Sequence, residues 1–152
     1  MKSSELYTLI GLAIAIIAIF LTFYQIRQGY KIQRTTLFKD LYQMMYGDPH
    51  IREAFYLIDY QKFVFANKFS SLHEEQLIDH LLNFFDLLSG LYEDKMLTKK
   101  EMNFFEYEFK IVYSNPGIQA YLKYLRGIYK NEKVATMPNH GFISYCKNEL
   151  LL

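Results

Sequence analysis

The chain has 152 residues, a formal net charge of +1 and an aromatic content of 18%, with no tryptophan and a single cysteine, Cys146. A net charge near zero argues against a protein that coats nucleic acid in bulk, and one cysteine excludes an internal disulfide and a cysteine-rich zinc site. Once an apolar N-terminal segment is set aside, about 125 residues remain, enough for one domain.

The first predicted element is an apolar segment at residues 6–26, which contains 21 residues and no charged side chain. At about 1.5 Å per residue, a helix of this length spans ~30 Å, the thickness of the hydrocarbon layer of a bilayer. A cleavable signal peptide is the alternative, but its apolar region is about 7–15 residues long and precedes a small-residue cleavage site. The sequence therefore predicts one uncleaved transmembrane helix after a short leader at residues 1–5.

Charges beside this segment predict its orientation. Arg27, Lys31 and Arg34 follow the segment, whereas the leader carries Lys2 and Glu5. Because cytosolic flanks are enriched in Lys and Arg, we expect a single-pass protein of the inner (cytoplasmic) membrane, with the N-terminus outside and the C-terminal domain in the cytosol. The three cations that follow the segment are interpreted either as ordinary stop-transfer charges or as contacts to anionic lipid.

A row of small and polar residues follows the same segment at alternating spacings of three and four. Helices in lipid associate through close backbone approach and hydrogen bonds, which small residues and threonine allow. The row predicts a homo-oligomer with a left-handed helix crossing; the alternative is that small residues, common in membrane helices, align by chance. The row contains Thr8, Gln25 and Gly29 and, as the predicted oligomerisation residues, Gly11, Ala15, Ala18 and Thr22.

The helix is predicted to continue past the apolar segment as a juxtamembrane helix over residues 27–47. Asp48 and Pro49 then match an N-cap followed by proline at the first helical position, so a new helix is expected there. Residues 61–70 are apolar without a clear period. Either a packed loop or a continuation of the helix fits that pattern.

Three further helix starts follow. Residues 71–74 and 98–101 match capping boxes, and residues 114–117 repeat the cap-then-proline start. Helices with defined starts and short connections predict an all-α bundle over residues 48–152, with the apolar C-terminal tail docked on it. The helix after residue 71 is strongly periodic, and its predicted inward residues are Leu77, Ile78, Leu81, Leu82, Phe85, Leu88 and Leu91.

Candidate catalytic and metal-binding residues are few. His73 and His80 lie seven apart, two helical turns, whereas two ligands of one ion on a helix are expected three or four apart. No serine-hydrolase, zinc-protease or nucleotide-binding glycine motif is present, and Cys146 lies in an apolar context typical of a packed thiol. The sequence therefore predicts a protein that is not an enzyme and has no metal and no cofactor.

The charge distribution provides the predicted ligand site. Residues 71–108 hold nine acidic residues and three lysines, a net charge of −6, whereas residues 109–133 have a net charge of +4. Lys123, Arg126 and Lys130 share one helical face in the basic segment, and such a stripe binds phosphates. The alternative is that this face forms ion pairs with acidic helices of its own bundle or of a neighbouring molecule.

Residues 81–122 (LLNFFDLLSGLYEDKMLTKKEMNFFEYEFKIVYSNPGIQAYL) carry a resemblance. In this stretch a helix is followed by an acidic turn, a Leu-Thr helix start and aromatic helices. This order resembles that of small bacterial membrane proteins that have one N-terminal span and a helical cytosolic domain of unknown function. These are similar in plan to cyclic-nucleotide-responsive membrane effectors of antiviral, CRISPR-type defence. The resemblance implies a cytosolic sensor domain and assigns no functional residue.

These observations together predict a membrane-anchored, oligomeric, non-catalytic sensor or effector that acts through its transmembrane helix. Its expected ligand is a cyclic oligonucleotide second messenger of antiviral defence, bound by Lys123, Arg126 and Lys130. The alternative is a single-pass scaffold that recruits a protein partner to the membrane through exposed aromatic residues, and a membrane-tethered enzyme is a third possibility.

Overall fold

The computed structural model describes residues 3–66, 68–69, 71–132 and 137–152, without the side chains of residues 3–10, 13, 131 and 132. Over these residues the chain contains helices and loops and no strand, so the predicted all-α class is confirmed. The helices of the described chain are α1 (Ser3–Gly47), α2 (Pro49–Asp59), α3 (Leu72–Glu93), α4 (Lys99–Met102), α5 (Glu106–Ser114), α6 (Pro116–Glu132) and α7 (His140–Asn148), with a 3-10 turn at Asn103–Phe105.

The transmembrane helix predicted over residues 6–26 is wrong. Within the described residues, no helix is both long enough and apolar enough to cross a membrane.

The localisation that followed from this span, a single-pass inner-membrane protein with its N-terminus outside, is contradicted by the same finding. The chain divides into two units, Met1–Lys39 and Asp40–Leu152. In the first unit α1 is a continuous helix, and most of its described apolar side chains are exposed, among them Leu12, Ile16 and Phe20. Of the leader predicted at residues 1–5, residues 1 and 2 lie outside the described residues. For residues 3–5 and for Thr8 of the small-residue row, the structure describes the backbone and not the side chains.

The second unit begins with the last two turns of α1, where Leu41 and Met45 are buried. Tyr46 on the same segment donates its hydroxyl to Oε1 of Glu108 on α5 over 2.6 Å. Burial, followed by the hydrogen bond to Glu108, raises the pKa of the Tyr46 hydroxyl, which therefore stays protonated. The end of α1 is thus held to α5 by a partly buried hydrogen bond, beside the buried side chains of Leu41 and Met45.

Aromatic rings fill the centre of this unit. Phe85 of α3 lies 4.5 Å from Phe109 of α5 and 5.5 Å from Phe142 of α7, measured between ring centroids. Phe109 in turn lies 4.9 Å from Tyr145 of α7. Ring pairs at such separations contribute beyond the area that they bury, so this cluster joins three helices that are distant in sequence. The prediction that the C-terminal tail docks on the bundle is confirmed.

The predicted helix starts at residues 48 and 98 are confirmed in detail. Asp48 accepts hydrogen bonds from the backbone N–H groups of His50 and Ile51, at 2.8 and 3.1 Å, and these bonds lower the pKa of its carboxyl group. Thr98 and Glu101 form both halves of a capping box.

Two other predictions about local structure are refined. Residues 61–66 form a packed loop with buried phenylalanines, so the packed-loop interpretation is correct for this part of residues 61–70 and the helix continuation is not. Residues 67 and 70 lie outside the described residues. The helix expected after residue 98 is divided by the 3-10 turn at Asn103–Phe105. Side chains three apart align in a 3-10 turn, so Met102 and Phe105 both point into the core.

The periodic face of α3 is confirmed, with the residues predicted to point inward buried except for half-buried Leu91. Adjacent residues of this helix provide a matched test. Leu88→Ala should lower the free energy of unfolding by about 2–5 kcal/mol, because Leu88 is fully buried and its loss leaves a cavity. Leu87→Ala is the control, since Leu87 is 47% exposed. Urea denaturation of both variants measures the difference, and equal destabilisation would contradict this packing.

Candidate anion-binding groove

Helix α6 carries the predicted phosphate contacts, and its first turn fixes its position. Asn115 is buried, and its Oδ1 accepts the N–H groups of Gly117 and Ile118 at 2.9 and 3.1 Å. A Cβ at Gly117 would lie 2.9 Å from the ring of Phe63, so this close approach requires glycine. One turn later, the Tyr121 hydroxyl donates to Asp79 of α3 over 2.6 Å.

Helix α7 is fixed from its opposite, apolar face. Phe142, Tyr145 and Cys146 are buried, and the backbone N–H of Phe142 donates to Oδ1 of Asp86 on α3 over 3.0 Å. A carboxylate at the start of a helix accepts an N–H that has no partner within the helix and complements the positive end of the helix dipole. The remaining polar face of α7 is therefore turned away from the core.

A groove of about 390 Å³ lies where α6, α7 and the end of α5 meet, and we call it the first groove. Lys123 and Arg126 line it from α6, Tyr113 from α5 and Ile143 from α7. Gln119 lines it too, and its side-chain amide is held by a 2.6 Å hydrogen bond from Nε2 to the Tyr113 carbonyl.

A second groove, of about 330 Å³, adjoins the first and shares Arg126 and Ile143 with it. Its other walls come mainly from the exposed face of α7. The α7 residues in this second groove, apart from Ile143, are His140, Ser144, Lys147 and Asn148. Arg126 therefore stands at the junction of two adjoining depressions.

The walls of both grooves, as far as the chain is described, contain cations and no carboxylate. Lys123, Arg126 and Lys147 form no ion pair with any described residue, whereas Lys110 pairs with Glu106 and Lys99 with Glu149. The alternative that the basic face of α6 pairs with acidic helices of its own bundle thus finds no support in the described residues. The positive charges of Lys123, Arg126 and Lys147 can therefore attract an anion together.

The predicted site residues fall into three groups. Lys123 and Arg126 line one groove together, while Lys130 is exposed one turn further along α6 and lies outside both walls. The predicted oligomerisation residues Gly11, Ala15, Ala18 and Thr22 are exposed on α1 of the first unit.

The histidines of α3 each lie near one other polar side chain. His73 Nε2 lies 3.8 Å from Oε1 of Glu53, and the His80 ring lies 6.4 Å from that of His50. Across the described residues, no three potential ligands come close enough to hold an ion.

Cys146, the other candidate for chemistry, is fully buried, and burial raises the pKa of its thiol to about 12. At neutral pH this thiol is protonated and therefore unreactive as a nucleophile.

Sequence reasoning missed the α7 side of the grooves. His140, Ser144 and Lys147 recur at spacings of four and three, opposite the apolar face of Phe142 and Cys146, so an amphipathic pattern was present. That pattern identifies a docked helix, but its position beside α6 depends on contacts to α3. The polar face consequently remained unassigned.

A second surface carries exposed aromatic rings, and we call Tyr56, Tyr60 and Lys62 the aromatic patch. The rings of Tyr56 and Tyr60 are stacked 5.6 Å apart at an interplanar angle of 11°, and Lys62 Nζ lies 5.6 Å from the Tyr60 ring centroid. Arg52 and Glu53 line the same shallow depression. Exposed, stacked tyrosines beside a cation are typical of surfaces that contact other molecules.

Comparison with known proteins finds no match: no family model, no curated protein and no solved structure matches the chain. The resemblance to small bacterial membrane proteins therefore stays untested. The function has to be argued from the grooves and surfaces themselves.

Proposed function

We propose that the chain is a non-catalytic sensor whose helical unit binds a phosphate-bearing ligand in the first groove. The expected ligand is a cyclic oligonucleotide second messenger of antiviral defence. The observation that carries this proposal is that Lys123 and Arg126 line one groove together and that neither is neutralised by a described carboxylate. The proposed function does not include the membrane anchoring that was predicted from the sequence.

The chemistry of the two cations supports this ligand class. A guanidinium presents a planar fork that matches two phosphate oxygens, while a lysine ammonium adds a compact charge. Tyr113 provides a half-buried ring in the same groove, held edge-on to Phe142 at 5.8 Å. Aromatic rings beside phosphate-binding cations are the usual arrangement for stacking a base.

We also propose that copies of the chain associate through α1. Gly11, Ala15, Ala18 and Thr22 are exposed along one side of this helix, and large apolar side chains are exposed around it. Exposed apolar surface of this extent favours association. The Thr22 hydroxyl donates to the Ala18 carbonyl over 2.8 Å, so it is satisfied within the helix and the contact depends on close packing of small residues.

The alternative function is a scaffold that recruits a protein partner. The specific observation in its favour is the aromatic patch, because the stacked rings of Tyr56 and Tyr60 are exposed while packing on each other. If the scaffold is correct, Tyr56→Ser with Tyr60→Ser abolishes partner binding, whereas charge reversal in the first groove leaves it unchanged.

Charge reversal tests the sensor proposal. Lys123→Glu with Arg126→Glu should weaken binding of a cyclic oligoadenylate at least about a hundredfold, since each charge-assisted hydrogen bond is worth ~1.5–3 kcal/mol. Isothermal titration calorimetry measures the affinity, and circular dichroism checks that the helices persist. Lys95→Glu with Lys100→Glu is the control, because it makes the same change in net charge at two exposed positions outside the groove. Unchanged affinity in the groove variant would contradict the proposal.

Bulky residues in the small-residue row test the association. Gly11→Ile with Ala18→Ile should reduce the oligomer mass measured by light scattering in detergent-free buffer. A Cβ at Gly11 meets no atom within 4 Å in the single chain, and isoleucine is a better helix former than glycine, so the helix itself should not suffer. Ile16→Leu with Phe20→Leu, on the opposite side of α1, is the control. An unchanged mass in the first variant would show that the row takes no part in assembly.

A further inference from the structure

The second groove has the composition of a second anion subsite. Besides Arg126, it contains Lys147 and the polar side chains of His140, Ser144 and Asn148, and it directly adjoins the first groove. Two depressions that share one arginine place their cations along a continuous path. A single phosphate in the first groove would leave Lys147 and its neighbours unused.

Two described carboxylates next to the ends of α7 bind other groups. Glu149, just beyond the end of α7, accepts hydrogen bonds from Tyr92 at 3.2 Å and from Lys99 at 3.5 Å. Asp86, next to the start of α7, accepts the N–H of Phe142. Neither carboxylate lines the second groove, so the positive charge of Lys147 is not cancelled within it.

The α7 side chains also present suitable donors. Ser144 Oγ accepts a hydrogen bond from Nδ2 of Asn148 over 3.1 Å, which occupies an acceptor position and leaves the hydroxyl hydrogen for another acceptor. Lys147 provides three further donors and lies one turn along the same helix face. Hydroxyl and ammonium donors around one arginine are a typical phosphate-binding set.

We infer, on the basis of the proposed function, that the site of one chain holds two phosphates, one in each groove, with Arg126 between them. The ligand class is a nucleotide with at least two phosphodiester or phosphate groups, such as a cyclic dinucleotide or a larger cyclic oligonucleotide. Because both grooves belong to the same unit of one chain, each copy of the protein binds its own ligand molecule.

The test compares three probes on the purified full chain by calorimetry: cyclic di-AMP, AMP and inorganic phosphate. Wild-type protein should bind cyclic di-AMP more tightly than AMP, with one ligand per chain. Lys147→Glu should weaken cyclic di-AMP binding about tenfold and leave AMP binding unchanged. It should also make the affinity for cyclic di-AMP less dependent on salt concentration, because one charge–charge contact is lost. Lys100→Glu serves as the charge-matched control.

The outcomes separate the two proposals. If Lys147→Glu binds both nucleotides as wild type does, or if one ligand is shared between two chains, the two-phosphate site is overturned while the first groove stands. If wild-type protein binds none of the probes, or binds inorganic phosphate as tightly as the nucleotides, the proposed function fails as well. Circular dichroism monitors folding, and Lys147→Gln, which removes the charge without reversing it, replaces the glutamate variant if that unfolds.

Discussion

The docking of α7 on α3 is the contact on which the rest of the site depends. The Phe142 ring lies 5.5 Å from Phe85 and 5.6 Å from Phe109, and the Phe142 N–H is bound by Asp86 of α3. One residue thus contributes both an apolar anchor and the polar contact that begins the helix. A Cβ at Gly141 would lie 3.2 Å from Oδ1 of Asp86, so the approach of the two helices is also close.

This contact brings the exposed faces of α6 and α7 together, so that their cations line the two adjoining grooves. Helix α6 alone offers Lys123 and Arg126 on an exposed face, where isolated cations are well solvated and bind anions weakly. With α7 fixed beside it, Arg126 acquires Lys147 and Ser144 as neighbours in a shared depression. No described carboxylate lines this path, and Asp86 and Glu149 instead bind the Phe142 N–H and Lys99.

Local features of the fold were predictable, because they depend on residues close in sequence. The Asp48 cap and the Thr98–Glu101 box satisfy N–H groups within one turn, so residue type and spacing reveal them. The 3-10 turn after α4 was not predicted, because no residue pattern near Asn103 marks it, although Phe105 within it is buried. The membrane-spanning helix was wrong because it rested on the length of a single apolar run. The second groove needed the position of α7, which only tertiary contacts define.

The most direct test of this account removes the α7 contact without touching a groove cation. Asp86→Ala leaves the Phe142 N–H without its acceptor, a cost of about 1–3 kcal/mol for a buried donor. The account predicts faster hydrogen exchange confined to α7 and, in the same sample, weaker binding of cyclic di-AMP. If α7 exchanges faster but the affinity is unchanged, or if its exchange is unaltered, α7 does not build the site.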